Sequence, residues 1–90
     1  MRTFTEALME SQLALNNMPI QVKSAIERVA RGRIDTLVKL PASSANLKLF
    51  QNEHDDTTII LTASHRSSND YTSHVYSKSY LLRLTNLHLD

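Results

Sequence analysis

The sequence predicts an α+β fold in which two N-terminal helices pack on one face of a four- to five-stranded antiparallel sheet. Apolar residues recur at helical spacing in the first third of the chain, and β-branched residues dominate the segment around residues 57–63. The later segments are joined by short connections, which link antiparallel strands but not parallel ones. The 90 residues, 41% of them hydrophobic, suffice for one core, so we expect a single domain over residues 1–90.

The first helix is predicted over residues 4–15. Thr3 and Glu6 match a capping box, in which the Thr3 hydroxyl accepts the Glu6 amide and the Glu6 side chain reaches back to the Thr3 amide. Apolar residues form a stripe at helical spacing: Phe4, Ala7, Leu8, Ala14 and Leu15. Asn16 and Asn17 are expected to end the helix, because asparagine tolerates the left-handed conformation.

The second helix is predicted over residues 19–31. Pro19 fixes the φ angle that a first helical turn requires. Its apolar stripe consists of Val22, Ala25, Ile26, Val29 and Ala30. Glu27 and Arg31 are spaced to form an ion pair on the exposed side. Gly32, the only glycine, is expected just beyond the helix end.

Residues 34–40 fit two patterns. Ile34, Leu37 and Val38 continue a helical stripe, whereas alternate residues of the same segment fit a strand. We favour the strand, because Gly32 precedes the segment and Pro41 follows it.

Four more strands are predicted over residues 47–51, 57–63, 71–76 and 80–86. The last two form either separate strands or one long strand bent at residues 77–79. The C-terminal segment is rich in leucine: Leu81, Leu82, Leu84, Leu87 and Leu89. Such an apolar strand is expected in the centre of the sheet or at an oligomer interface, since an exposed edge would promote aggregation.

Composition restricts the chemistry. The chain has no cysteine, which excludes disulfides and thiolate zinc sites. The sequence shows neither a signal peptide nor a membrane span, so we expect a cytoplasmic protein of the producing or host cell. Four histidines occur without a known ligand spacing, and no metal or other cofactor is predicted: His54, His65, His74 and His88.

A small ribonuclease is one hypothesis. Glu53 or Asp56 could act as general base, Arg66 could hold a phosphate, and a histidine such as His65, His74 or His88 could act as general acid. Only residue types support this trio, because any polar chain of this size contains one.

A nucleic-acid-binding protein is the second hypothesis. Arg28, Arg31 and Arg33 could lie along a phosphate backbone, and tyrosines of the sheet could stack on bases. The formal net charge of the whole chain is only +1, which is low for a dedicated nucleic-acid binder.

The leading hypothesis is a non-enzymatic protein-interaction module that acts as an adaptor or inhibitor. We expect the sheet face away from the helices to present Thr58, Ile60 and Thr62. The pairs expected beside them are Lys48 with Phe50, His74 with Tyr76, and Leu81 with Arg83. This face could be plain solvent-exposed sheet, or it could bind a partner.

The partner-binding residues predicted on this face are Phe50, Ile60, Tyr76 and Arg83. The expected partners are another protein and a second copy of the chain in a homodimer, with nucleic acid as the alternative. A small domain of this kind is typical of phage or mobile-element accessory proteins.

Overall fold

Two helices, four strands and a third helix follow one another along the chain. The computed structural model describes residues 3–13, 18–32, 36–40, 44–65, 67 and 69–86, with only the backbone of residues 4 and 11–13. The elements are α1 (Phe4–Leu13), α2 (Ile20–Ala30), β1 (Thr36–Leu40), β2 (Ala45–Gln51), β3 (Thr58–His65), β4 (Tyr71–Ser77) and α3 (Lys78–Thr85). The predicted α+β class and the antiparallel sheet are confirmed.

The four strands form an antiparallel meander in the order β1-β2-β3-β4. Leu47 of β2 pairs with Val38 of β1 on one side and with Ala63 of β3 on the other. Side chains alternate between the two sheet faces, and the aliphatic ones of β1–β3 that face the helices are buried: Val38, Leu40, Ala45, Leu47, Leu49, Ile59, Leu61 and Ala63.

All three helices lie on the same side of the sheet. α1 packs mainly on β3, and α2 packs on β1 and β2. α3 packs against α2 and the end of β4. The core therefore lies between one helical layer and one sheet face, and none of the described elements covers the other face.

The first helix begins at Phe4 as predicted, but the Glu6 side chain bonds the Thr3 hydroxyl instead of the predicted Thr3 amide, and the buried residues differ in part from the predicted stripe. The Thr3 hydroxyl accepts the Glu6 amide at 3.1 Å, and the Glu6 carboxylate accepts a hydrogen bond from that same hydroxyl at 3.2 Å. Leu8 and Met9 are buried, whereas Ala7 is exposed, so the predicted position of Ala7 in the stripe is wrong. The side chains of Phe4, Ala14 and Leu15 and the stop at residues 16–17 lie outside the described residues.

Buried Thr5 explains this shift of the apolar stripe. Its hydroxyl lies 2.5 Å from that of Thr72 and donates to Asp70 Oδ1 at 3.4 Å. These hydrogen bonds satisfy the hydroxyl and turn the face that contains Thr5, Leu8 and Met9 toward the sheet.

The second helix matches its prediction. All five residues of the predicted stripe are buried. Pro19 stands at the N-cap, one position before the helix, and its carbonyl accepts the amides of Val22 and Lys23. Gly32 follows the C-cap with φ +79°, and the predicted pair of Glu27 with Arg31 forms at 3.2 Å.

The strand predictions for β1 to β4 are confirmed within the described residues. β1 covers Thr36–Leu40, while residues 33–35 lie outside the described residues. β2 begins two residues earlier than predicted, at Ala45, and β3 extends to His65. The register continues through Ala45 and His65, which pair with one another.

The strand predicted over residues 80–86 is wrong, because this segment forms α3. The Ser77 hydroxyl caps the helix by accepting the Tyr80 amide at 3.1 Å. Leu81 and Thr85, one helical turn apart, are both buried. Asn86 ends the helix in the left-handed conformation, with φ 58°.

Candidate partner-binding face

The sheet face opposite the helices, here called the open face, contains an apolar row that crosses three strands. Phe50 pairs with Ile60, and Ile60 pairs with Val75. Phe50 and Ile60 are partly buried, whereas Val75 is 58% exposed. A row of three apolar side chains is thus accessible to a partner at one end of the face.

A second row beside it is mixed in character. Leu37 pairs with Lys48, Lys48 with Thr62, and Thr62 with Ser73. The Thr62 and Ser73 hydroxyls lie 2.7 Å apart, and Leu37 is 57% exposed. The Lys48 ammonium lies 5.5 Å from the centroid of the Phe50 ring, which is within cation–π range. The lysine therefore packs beside the apolar row.

The third row adds a cation and an aromatic ring. It joins Lys39, Asn46, Ser64 and Tyr71 across the four strands. Lys39 is exposed and Tyr71 is 69% exposed. The described residues that alternate onto the open face include two lysines and no acidic residue, so the face is apolar, hydroxyl-rich and positively charged.

Two of the four predicted partner-binding residues lie elsewhere. Phe50 and Ile60 occupy the open face as predicted, but Tyr76 pairs with Ile59 and therefore points toward the helices. Arg83 belongs to α3, as does buried Leu81. Leu81 and Arg83 do not lie on the predicted face, because their segment forms a helix and not a strand.

His74 and Tyr76 share the helical side of β4. Their rings stack with centroids 6.1 Å apart, and Tyr76 stacks in turn on Tyr80 of α3, also at 6.1 Å. Burial, together with the nearby Tyr80 hydroxyl, raises the pKa of Tyr76 above 10.0. The three rings stack on one another on the helical side of β4, where His74 and Tyr76 are partly buried and Tyr80 is 41% exposed.

The described residues do not bring together the basic and aromatic groups that the nucleic-acid hypothesis requires. Arg28 on α2 and Arg31 at its C-cap are exposed, but Arg31 pairs with Glu27, and Arg33 lies outside the described residues. Of the three tyrosines, Tyr71 alone lies on the open face. The basic helix and this ring are therefore on opposite sides of the molecule.

Among the described residues, the structure does not bring together the acidic and histidine side chains of the ribonuclease trio. Glu53 and Asp56 lie in the turn before β3, whereas His65 is the last residue of that strand. The eight residues of β3 separate these groups by about 25 Å at about 3.3 Å per residue. His74 points into the helical layer, while Arg66 and His88 lie outside the described residues.

The described residues contain no group of three histidine or acidic side chains close enough to hold a metal ion. None of their helices has the length and apolar character needed to cross a membrane.

Val75, Tyr71, Leu37 and Lys39 are among the members of the open face that were not predicted there from the sequence. β4 carries aromatic or hydroxyl side chains on both faces, so its alternation does not reveal which face is buried. Only the pairing of Ile60 with Val75 fixes that choice. In β1, the burial of Val38 and Leu40 turns Leu37 outward, a signal that the predicted strand already contained.

No protein-family model, no curated protein and no solved structure matches this chain. The functional proposal therefore rests on the geometry and chemistry of the chain itself.

Proposed function

We propose that the chain is a protein-interaction module that binds its partner through the open face. The observation that carries this proposal is the cross-strand row of Phe50, Ile60 and Val75, which no described element covers. Accessible apolar side chains grouped in this way are typical of interaction sites. Tyr71 adds an exposed aromatic residue, a type enriched at interfaces.

The charge of the open face supports a partner with an acidic rim. Lys39 and Lys48 are both exposed on it. A second copy would offer no carboxylate from the described residues of its own open face to pair with these lysines. A different protein that surrounds an apolar centre with carboxylates would complement the face, so we favour it over the homodimer expected from the sequence.

Variants at the apolar row test this function. Ile60→Glu and Val75→Glu place a carboxylate where apolar contact is proposed, and each should weaken partner binding about thirtyfold, as for an interface hot spot. The measurement is capture by the tagged protein from nuclease-treated lysate of the producing cells, followed by titration of the captured protein with each variant.

Arg83→Glu is the control, because it makes a charge change on α3, away from the open face. It should leave binding unchanged, and circular dichroism should show that all three variants remain folded. Equal binding by wild type and both open-face variants would contradict the proposal. Loss of all capture after nuclease treatment would instead favour a nucleic-acid ligand.

A further inference from the structure

A groove of about 310 Å³ lies between α2 and β1. One wall is formed by helix residues that include Ile20 and Arg28, and the other by four consecutive residues of β1, Thr36–Lys39. Ile20 is 69% exposed, although it is a large apolar side chain. The groove thus runs along a strand and has an apolar residue at the start of its helical wall.

β1 is an edge strand. It pairs with β2 on one side, and the described part of the chain places no strand on the other side. The backbone groups of an edge strand can pair with an added strand. Four extended residues span about 13 Å, so the groove follows enough backbone for a short peptide strand to align with it.

The charge of the groove indicates which kind of partner it would bind. Its eight lining residues include Arg28 and Lys39 and no acidic residue. Glu27, the neighbouring acid on α2, is paired with Arg31 at 3.2 Å. A second copy of the groove has no carboxylate among its lining residues to pair with Lys39 and Arg28, whereas an acidic segment would neutralise them. A nucleic acid lacks the backbone groups that would pair with an edge strand.

We infer that this groove binds an extended, acidic segment of another protein, which adds to the sheet as a fifth strand beside β1. Strand addition of this kind gives affinity through backbone hydrogen bonds and specificity through alternate side chains. Alternate side chains of an added strand point to opposite faces of the sheet, so the acidic ones would face α2 and meet Arg28, while the aliphatic ones would lie on the open-face side beside Leu37. The inference goes beyond the proposed function, because it concerns the edge of the sheet beside α2, which shares Leu37 and Lys39 with the open face.

The probe is a fluorescent peptide of about ten residues in which valine alternates with glutamate, and its binding is measured by fluorescence anisotropy. A peptide with serine in place of glutamate should bind about tenfold more weakly, since it lacks the charge attraction. N-methylation of alternate residues on the strand-pairing edge of the probe should abolish binding. Methylation on its other edge should not, because only one edge of an added strand pairs with β1.

Arg28→Glu should reverse the preference, so that a valine–lysine peptide binds better than the valine–glutamate peptide. Lys23→Glu is the matched control on the same helix, outside the groove, and should retain the wild-type preference. Ile60→Glu should also bind the probe normally, which separates this inference from the open-face proposal.

Three results would each overturn the inference. The first is no binding of the valine–glutamate peptide to the wild-type protein. The second is binding that survives N-methylation of either edge. The third is evidence that something else occupies the groove. Such evidence would be a dimer in sedimentation velocity whose population changes in Arg28→Glu, or binding of single-stranded RNA that is lost in Arg28→Glu.

Discussion

At the scale of single residues, the turn between β2 and β3 is organised by Asp55. Its Oδ1 atom accepts the Thr57 amide at 2.9 Å and the Thr57 hydroxyl at 2.6 Å. The Thr58 hydroxyl donates to the Asp55 carbonyl at 3.1 Å. The two bonds from Thr57 favour the ionised carboxylate and hold the pKa of Asp55 below its ordinary value of 3.8.

This lowered pKa links the turn to pH. A carboxylate whose pKa is lower in the folded state stabilises that state above the unfolded value of 3.8, and the contribution disappears as pH falls through the folded value. Thr57→Val removes the hydroxyl donor and should raise the pKa of Asp55 toward 3.8. An NMR titration of the Asp55 carboxyl carbon measures this change.

The stability difference between wild type and Thr57→Val should be largest above pH 3.8 and should shrink on acidification. Asp55→Asn removes the titrating group, so in that background Thr57→Val should give a difference with little dependence on pH. An unchanged pKa of Asp55 in Thr57→Val would show that the hydroxyl bond does not lower this pKa.

Local features could be predicted from the sequence where they depend on residues close together in it. Thr3, Gly32 and the pair of Glu27 with Arg31 act through neighbours within four positions, so the sequence alone reveals them. Thr5 could not be predicted as buried, because its partners Asp70 and Thr72 are more than sixty positions away in the sequence.

At the scale of elements, α3 depends on the residues at its two ends. Ser77 closes β4 and caps the helix at once, and the Lys78 amide donates to the Thr57 carbonyl at 2.9 Å. The helix start is therefore fixed both to its own strand and to the turn before β3. β-Branched residues are nearly absent from Lys78–Thr85, which also favours a helix over a strand.

Ser77→Ala should destabilise the protein by about 1 kcal/mol, because it removes the N-cap acceptor of the Tyr80 amide. For a domain of this size, that corresponds to a fall in Tm of about 4–8 °C, measured by calorimetry. Ser79→Ala is the matched control, since its hydroxyl does not accept the Tyr80 amide, and it should change Tm much less. Equal effects of the two substitutions would contradict the role of Ser77.

The same residues show why this helix was predicted as a strand. Five leucines near the C-terminus indicate burial but not its period, because a short apolar run fits a buried strand and a buried helix equally well. Leu81 and Thr85 are both buried one turn apart, yet threonine does not register as part of an apolar stripe. The feature of the sequence that favours a helix over a strand here is Ser77, whose hydroxyl can cap the helix.

At the scale of the whole molecule, the fold divides the sheet into a packed face and an open face. The packed face could be predicted from β3, whose Ile59, Leu61 and Ala63 are all buried. The composition of the open face could only partly be predicted, because β4 takes its orientation from its pairing with β3 and not from its own residues. Hence Phe50 and Ile60 lie on the open face as predicted, whereas Tyr76 faces the helices and Val75 lies on the open face instead.

Site-specific cross-linking is the most direct measurement of the central claim that the open face binds the partner protein. The chain has no cysteine, so Val75→Cys provides a unique thiol on the open face for a photoreactive benzophenone. Ala7→Cys provides a matched thiol on the exposed side of α1, in the opposite layer. With the captured protein added, we expect one cross-linked species from position 75 and none from position 7. Cross-linking from position 7 alone, or from neither position while the complex forms, would contradict the claim.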